Sequence, residues 1–336
     1  MTRRLKTHNL EGSHMPAIET ALTRLLAIEH PIMLAPMGSA AGGKLASAVT
    51  NAGGLGMIGS GQADVTTIRK ELSEAGNARV GIGFITWALE RNPAALDVAL
   101  DARPAAVMLS FGDPSPFTGR IKASGCKIIC QVQTLAQAKE AAAAGADVII
   151  AQGRDAGGHS GTTRGTMGLV PAVVDAVAPI PVVAAGGIAD GRGLAAALAL
   201  GAAGISMGTR FTASRESLWD QAMKDTALNA GGDQTEQTRV FDIVRGAPWP
   251  AIYPGRALRN AFSTHWYGRE DELAADQPEQ EKAYLATVPD NFATRVVWAG
   301  EGVDLVHDIP TASAIIERII ARAVATLTEG AKLIRY

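Results

Sequence analysis

Between residue 30 and about residue 210, short apolar runs alternate with alanine-rich amphipathic stretches, the pattern of repeated strand-helix units around a parallel sheet. Eight runs read as strands: residues 32–34, 55–58, 80–84, 106–109, 127–130, 147–150, 182–184 and 204–206. The connections carry helical patterns, for instance at 134–144 and 192–200. Eight such units predict a closed (β/α)8 barrel of the TIM type. An open doubly wound sheet is the alternative. Glycine-rich segments recur after many different strands and not only after the first, which favours the barrel, because barrel sites are assembled from many strand ends.

The rhythm stops after Phe211. From 212 to about 290 the chain gains Trp219, Trp249, Trp266 and several acids, and includes the run Gly246-Ala247-Pro248-Trp249-Pro250, which reads as a helical insertion or cap over the barrel mouth. Residues 311–327 return to an amphipathic helical pattern with Ile315, Ile316, Ile319, Ile320 and Val324 on one face, as the last barrel helix would. The expected division is a barrel of residues 15–213 and 291–336, interrupted before its last helix by a smaller, mainly helical domain of 214–290. Residues 1–14 read as an expression tag, because Gly12-Ser13-His14-Met15 resembles a cloning scar.

Composition narrows the partners. The 336 residues are 47% hydrophobic and 19% charged with a formal net charge of -2, and no block of Lys and Arg stands out. Nucleic acid and anionic membrane are therefore not expected, and a small-molecule ligand is. No apolar run is long enough to span a bilayer and no leader pattern precedes Met15. Cys126 and Cys130 alternate with apolar neighbours as in a buried strand, which fits a cytoplasmic protein better than a disulfide or a metal site.

The chemistry concentrates at strand exits. The run Ala151-Gln152-Gly153-Arg154-Asp155-Ala156-Gly157-Gly158-His159 follows an apolar strand and places an imidazole beyond glycines that let backbone approach a flat ligand, so His159 is the candidate catalytic group. Gly54-Leu55-Gly56-Met57-Ile58-Gly59 has the letters of a dinucleotide fingerprint but contains its own strand, and reads as a helix cap and strand entry. Two later loops suit a phosphate: Gly186-Gly187 after the seventh strand and Met207-Gly208-Thr209 after the eighth. With no Walker lysine beside them, a nucleoside triphosphate is disfavoured. A phosphate there and a glycine-lined face at the sixth strand leave room for a broad planar group, which flavin mononucleotide (FMN) fits. Gln131 and Gln152 are amides able to pair with pyrimidine-ring edges. No pair of ligands at helix spacing suggests a metal.

Taken in order, Pro31-Ile32-Met33-Leu34-Ala35-Pro36-Met37, Asn51-Ala52-Gly53-Gly54-Leu55-Gly56, Gln152-Gly153 through Gly158-His159, Ala185-Gly186-Gly187-Ile188, Met207-Gly208-Thr209-Arg210-Phe211 and Val297-Trp298-Ala299-Gly300-Glu301-Gly302 resemble the nitronate monooxygenase family, once called 2-nitropropane dioxygenases. The resemblance implies an FMN-dependent barrel with a smaller helical domain. By position it implies that Ala35, Pro36 and Met37 line the flavin, that Gln131 and Gln152 contact its ring or ribityl chain, and that Gly157 and Gly158 pack against it. The phosphate would lie between Gly186-Gly187 and Met207-Gly208-Thr209, and His159 would be the base. Trp298 and the Gly300-Glu301-Gly302 turn are read as packing and left outside the site. Where many relatives have an asparagine after the third strand, this chain has Gly83, so a side-chain contact to the flavin is lost there. The implied reaction converts an alkyl nitronate, or a nitroalkane after deprotonation, with O2 to a carbonyl compound and nitrite. A homodimer is compatible with it. Related flavin barrels instead reduce quinones or enoyl thioesters with NAD(P)H. A barrel holding a phosphate ligand without redox chemistry, or a noncatalytic flavin-binding protein, is a further alternative.

Overall fold

A computed structural model describes residues 17–161 and 163–335 of the chain. The segment read as a tag, residues 1–14, lies outside them. Eight parallel strands form the central sheet: β1 (Ile32–Leu34), β2 (Met57–Gly59), β3 (Gly81–Ile85), β4 (Ala106–Ser110), β5 (Lys127–Val132), β6 (Val148–Gln152), β8 (Val182–Ala185) and β9 (Gly204–Met207), with the two-residue strand β7 (Gly158–His159) between the sixth and seventh. Neighbours pair in chain order, β1 pairs with β9, and a bridge between Met33 and Leu55 joins β1 to the entry of β2, so the sheet closes into a barrel. The Gly54–Gly59 string runs into β2 after the helix Gly43–Asn51, which removes the geometry a dinucleotide turn requires.

Alternation along the strands divides the core in two. Ile32, Leu34, Ile58, Ile82, Val107, Ile128, Cys130, Ile149, Ala184 and Ile205 face the surrounding helices. Met33, Leu55, Met57, Met108, Ile129, Val148, Ile150 and Val183 fill the barrel interior, with Leu22 and Leu26 of the helix Ala21–Leu26 among them. Both cysteines are buried and free, and burial, with the charge of Asp147, pushes the Cys130 thiol up to about 12. The helix Ala312–Ala331 packs against the helix Gly191–Ala199, where a Cβ on Gly191 would overlap the Ile319 carbonyl.

The inserted segment is not helical throughout. Alongside five α-helices between Gln221 and Ala286 it contains β10 (Thr235–Thr238) and β11 (Gly255–Leu258), which pair antiparallel. β11 also pairs with β7, so the loop after β6 is stitched into the inserted sheet. Trp298 bridges Ala257 antiparallel, carrying the insertion's contacts past residue 290. Polar alternation in Thr235-Glu236-Gln237-Thr238 gives little warning of a strand. Its stability comes from ladder bonds to a partner some twenty residues away.

Candidate active site

Above the methionine and aliphatic layer, the inward position nearest the end of each barrel strand is small or polar: Ala35, Gly59, Gly83, Ser110, Gln131, Gln152, Ala185 and Ser206 all line one cavity of about 460 Å³. The strand period therefore ends in a floor, with room above it for a ligand. Gly83 lies inside β3, and a Cβ there would overlap the Pro36 ring. Pro36 occupies the volume that a larger side chain at 83 would need.

Of the residues singled out in the sequence, Ala35, Pro36, Met37, Gly83, Gln131, Gln152, Gly157, Gly158, His159, Gly186, Gly187, Gly208 and Thr209 are brought together around this cavity. Met207 is not. It is 1% exposed and packs into the helix-facing core, because alternation turns it outward and gives the inward place to Ser206. Gly157 backs onto the Ala299 and Gly300 backbone while lining the cavity. Gly186 and Gly187 have φ of 112° and 68°, a region that disfavours any Cβ, and so turn the chain sharply at the end of β8.

Side-chain amides tie the floor to the histidine loop. Gln131 and Gln133 donate to Gln152 Oε1 at 3.1 and 2.9 Å, and Gln152 Nε2 donates to the His159 carbonyl at 3.1 Å. The His159 ring meets the inserted segment. Its Nε2 lies 2.9 Å from Asp242 Oδ2, and its plane stacks on Trp249 at 3.5 Å between centroids and 7° between planes. Trp298 flanks it at 5.1 Å. Arg245 donates to Asp242 Oδ1 at 3.1 Å and to the Phe241 carbonyl at 2.7 Å, and its guanidinium lies over Trp298.

Trp249 is itself held by barrel loops, edge-on to Trp87 at 5.3 Å and to Phe111 at 5.1 Å. Phe111 has φ of 64°, a conformation costing on the order of 1–3 kcal/mol in a non-glycine residue, and places its ring between Trp249 and Tyr253. Arg256 clamps the other side: it donates to the Arg154 carbonyl and to Thr235 Oγ1, both at 3.0 Å, and pairs with Glu301 at 2.9 Å. Burial pulls the Arg256 guanidinium below its ordinary value and Glu301 opposes that pull.

Asp242 and Arg245 were missed in the sequence, Trp249 was read only as part of a cap, and Trp298 was set aside as packing. Trp298 and the Gly300-Glu301-Gly302 turn line the cavity rather than serving only as packing, with Gly300 and Gly302 both on its wall. An aromatic beside paired glycines, inside a segment shared with the family pattern, was the available signal. Ser110 and Ser206 were open to discovery by counting alternate positions from the apolar interior. Ser60, Ser206 and Trp219 are among the residues around the same cavity, and their Oγ, Oγ and Nε1 atoms are buried and without a hydrogen-bond partner among the described residues. Orphaned donors around a glycine-floored cavity fit a polar, flat ligand such as FMN, since buried polar groups are otherwise almost always paired.

Comparison with known proteins fits this geometry. The chain is 36% identical to a nitronate monooxygenase of Metarhizium robertsii, over 88% of this chain and 92% of that protein. It is 31% identical to the (3aS,4S,5R,7aS)-5-hydroxy-7a-methyl-1-oxo-octahydro-1H-indene-4-carboxyl-CoA dehydrogenase of Rhodococcus jostii, over 92% and 97%. The solved structure of FabK from Thermotoga maritima superposes with a TM-score of 0.81 at 34% identity, covering 94% of this chain and all of that one. The pattern of the nitronate monooxygenase family matches residues 19–80 and 85–322, and the interruption at 81–84 holds Gly83. With that match spanning barrel and insertion alike, the chain belongs to the nitronate monooxygenase family of oxidoreductases.

Proposed function

We propose that the protein is an FMN-dependent nitronate monooxygenase that converts alkyl nitronates, and nitroalkanes after deprotonation, with O2 to carbonyl compounds and nitrite. The observation that carries this reading is a single imidazole, His159, fixed by Asp242 and Trp249 at the wall of a cavity whose floor is small and amide-lined. FMN, when bound, supplies the oxidation of the nitronate and the reaction with O2. Gln131 offers its Oε1 as an acceptor and a second N–H as a donor to its ring edge, and Gln152, whose Oε1 already accepts two bonds, offers its second N–H. The Gly186-Gly187 and Gly208-Thr209 turns offer backbone N–H groups to its phosphate. Neutral His159 takes the α-proton of a nitroalkane, and the protonated ring complements nitronate oxygens. Trp249, Trp298 and Phe111 wall the cavity with rings and exclude water.

Among the described residues no helix is long and apolar enough to cross a membrane. Two buried, free cysteines fit a reducing, cytoplasmic location.

A second reading on the same scaffold is NAD(P)H-dependent reduction of quinones or enoyl thioesters, and the similarity to a Rhodococcus enzyme named as a carboxyl-CoA dehydrogenase favours its thioester branch. Anaerobic mixing separates the two. Bleaching of the yellow protein by alkyl nitronate and not by NADH or NADPH is the expected result; rapid bleaching by a reduced nicotinamide would transfer the assignment to the reductase. A colourless protein that cannot be reconstituted with FMN would overturn both.

A further inference from the structure

One buried carboxylate in the site has two distinct partners. Asp242, on the short helix Val240–Val244, is 4% exposed and presents Oδ2 to His159 Nε2 at 2.9 Å and Oδ1 to Arg245 at 3.1 Å. A guanidinium only donates and a carboxylate only accepts, so Arg245 donates to Oδ1 and the neutral imidazole must donate its proton from Nε2 to Oδ2. Trp249, stacked at 7°, fixes the plane of the ring, and Asp242 fixes its rotation within that plane. The lone pair left to the neutral ring is on Nδ1.

We propose that Asp242 is the positioning residue for His159, holding the proton on Nε2 and so making Nδ1 the atom that takes the substrate's α-proton. This rests on reading the site as one that deprotonates a nitroalkane. The Cα–H bond breaks, Nδ1–H forms, and the electron pair stays on the substrate as the nitronate. The Asp242 carboxylate then faces the imidazolium that results.

Arg245 makes the idea testable in an unusual way. In Asp242→Asn the amide oxygen must face Arg245, because Arg245 cannot accept. The amide nitrogen then faces His159 and donates, Nε2 becomes an acceptor, and the ring proton moves to Nδ1, the atom the reaction needs bare. Removing Arg245 as well frees the amide to turn its oxygen back to the ring.

The experiment is nitrogen NMR of protein carrying 15N-labelled histidine, with His159 assigned by its loss in His159→Asn, at a pH where the ring is neutral. It is paired with turnover of nitroethane and of its preformed nitronate. The wild type is expected to show the proton on Nε2, and D242N to show it on Nδ1. D242N should lose on the order of 10²–10⁴-fold in nitroethane turnover and much less with the nitronate. The double variant D242N/R245M is expected to return the proton to Nε2 and to be at least about tenfold faster than D242N on nitroethane, a reversal that a merely structural role would not produce.

An Nδ1-protonated wild type overturns the proposal without any variant. So does D242N with its proton still on Nε2, or a double variant no faster than D242N. If the wild type turns over neither compound, the functional reading falls, while the tautomer in wild type and D242N still decides the role of Asp242.

Discussion

The floor and the roof of the cavity are built on opposite plans. The floor comes from barrel strand ends, and its residues act mostly by being small: Ala35, Gly59, Gly83, Ser110, Ala185 and Ser206 leave space, with Gln131 and Gln152 as the larger, amide-bearing exceptions. The roof comes from the inserted segment and the chain that follows it, and acts through bulk and charge: Asp242, Arg245, Trp249 and Trp298 surround one imidazole that the barrel itself provides. On the proposed reading the barrel sets where the flavin would lie, while the insertion sets how His159 is oriented at the cavity wall. Relatives named for monooxygenase and for dehydrogenase activity both match this chain along most of its length, so the shared architecture does not by itself fix the reaction.

Two measurements test that division, and a third calibrates the barrel. The largest effect is expected where floor and roof meet. His159→Asn should lower nitroalkane turnover by about 10²–10⁴-fold and nitronate turnover far less, since only the first needs a proton removed. Equal losses on both substrates would take the base role away from His159.

The next contrast sets one substitution in the floor against one in the roof. Gly83→Asn forces a side chain against the Pro36 ring, an overpacking that should cost about 1–3 kcal/mol, lower the melting temperature by several degrees and weaken retention of the flavin on gel filtration. Trp249→Ala removes ring stacking worth roughly 0.5–1.5 kcal/mol beyond its buried area, and should retain the flavin better than Gly83→Asn while raising KM. If Trp249→Ala sheds the flavin and Gly83→Asn keeps it, the assignment of roles to floor and roof is wrong.

The smallest effect lies outside the site and calibrates the barrel alone. His30, at the entry to β1, is 1% exposed and burial holds its pKa below the ordinary 6.5, with Glu29 opposing. The unfolded chain then binds that proton more readily than the folded one. The contribution to stability is full above about pH 6.5 and is lost as the pH falls through 6.5 toward the folded value. Urea midpoints at pH 7.5 and at about pH 5.5 should converge in His30→Gln relative to the wild type; an unchanged pH dependence would refute this account of His30.

Much of the barrel was legible because its code is short-range. The eight expected strands match the observed ones closely, β1 residue for residue and the others to within two residues at either end. Glycines at 157, 158, 186, 187 and 208 were legible for the same reason, since a turn or a close approach leaves a local mark in the chain. Met207 went astray where a motif was carried over whole: the loop belongs to the cavity, but the strand period sends that one side chain to the other face. The insertion was read as mainly helical, and its two strands went unforeseen because each is four residues long, β10 is polar, and pairing at that length is decided by the partner.

The sequence by itself determined the eight-fold repeat, the glycine turns at its strand ends and the presence of a lone histidine beyond the sixth strand, all of which follow from patterns a few residues long. Only the tertiary structure decided what that histidine touches. Asp242 lies 83 positions further along the chain, and Trp298 lies further still. No periodicity spans such a gap: the contact exists because β11 pairs with β7 and brings the insertion down over the barrel mouth, and a pairing of that kind is chosen by the fold as a whole rather than by any stretch of residues within it.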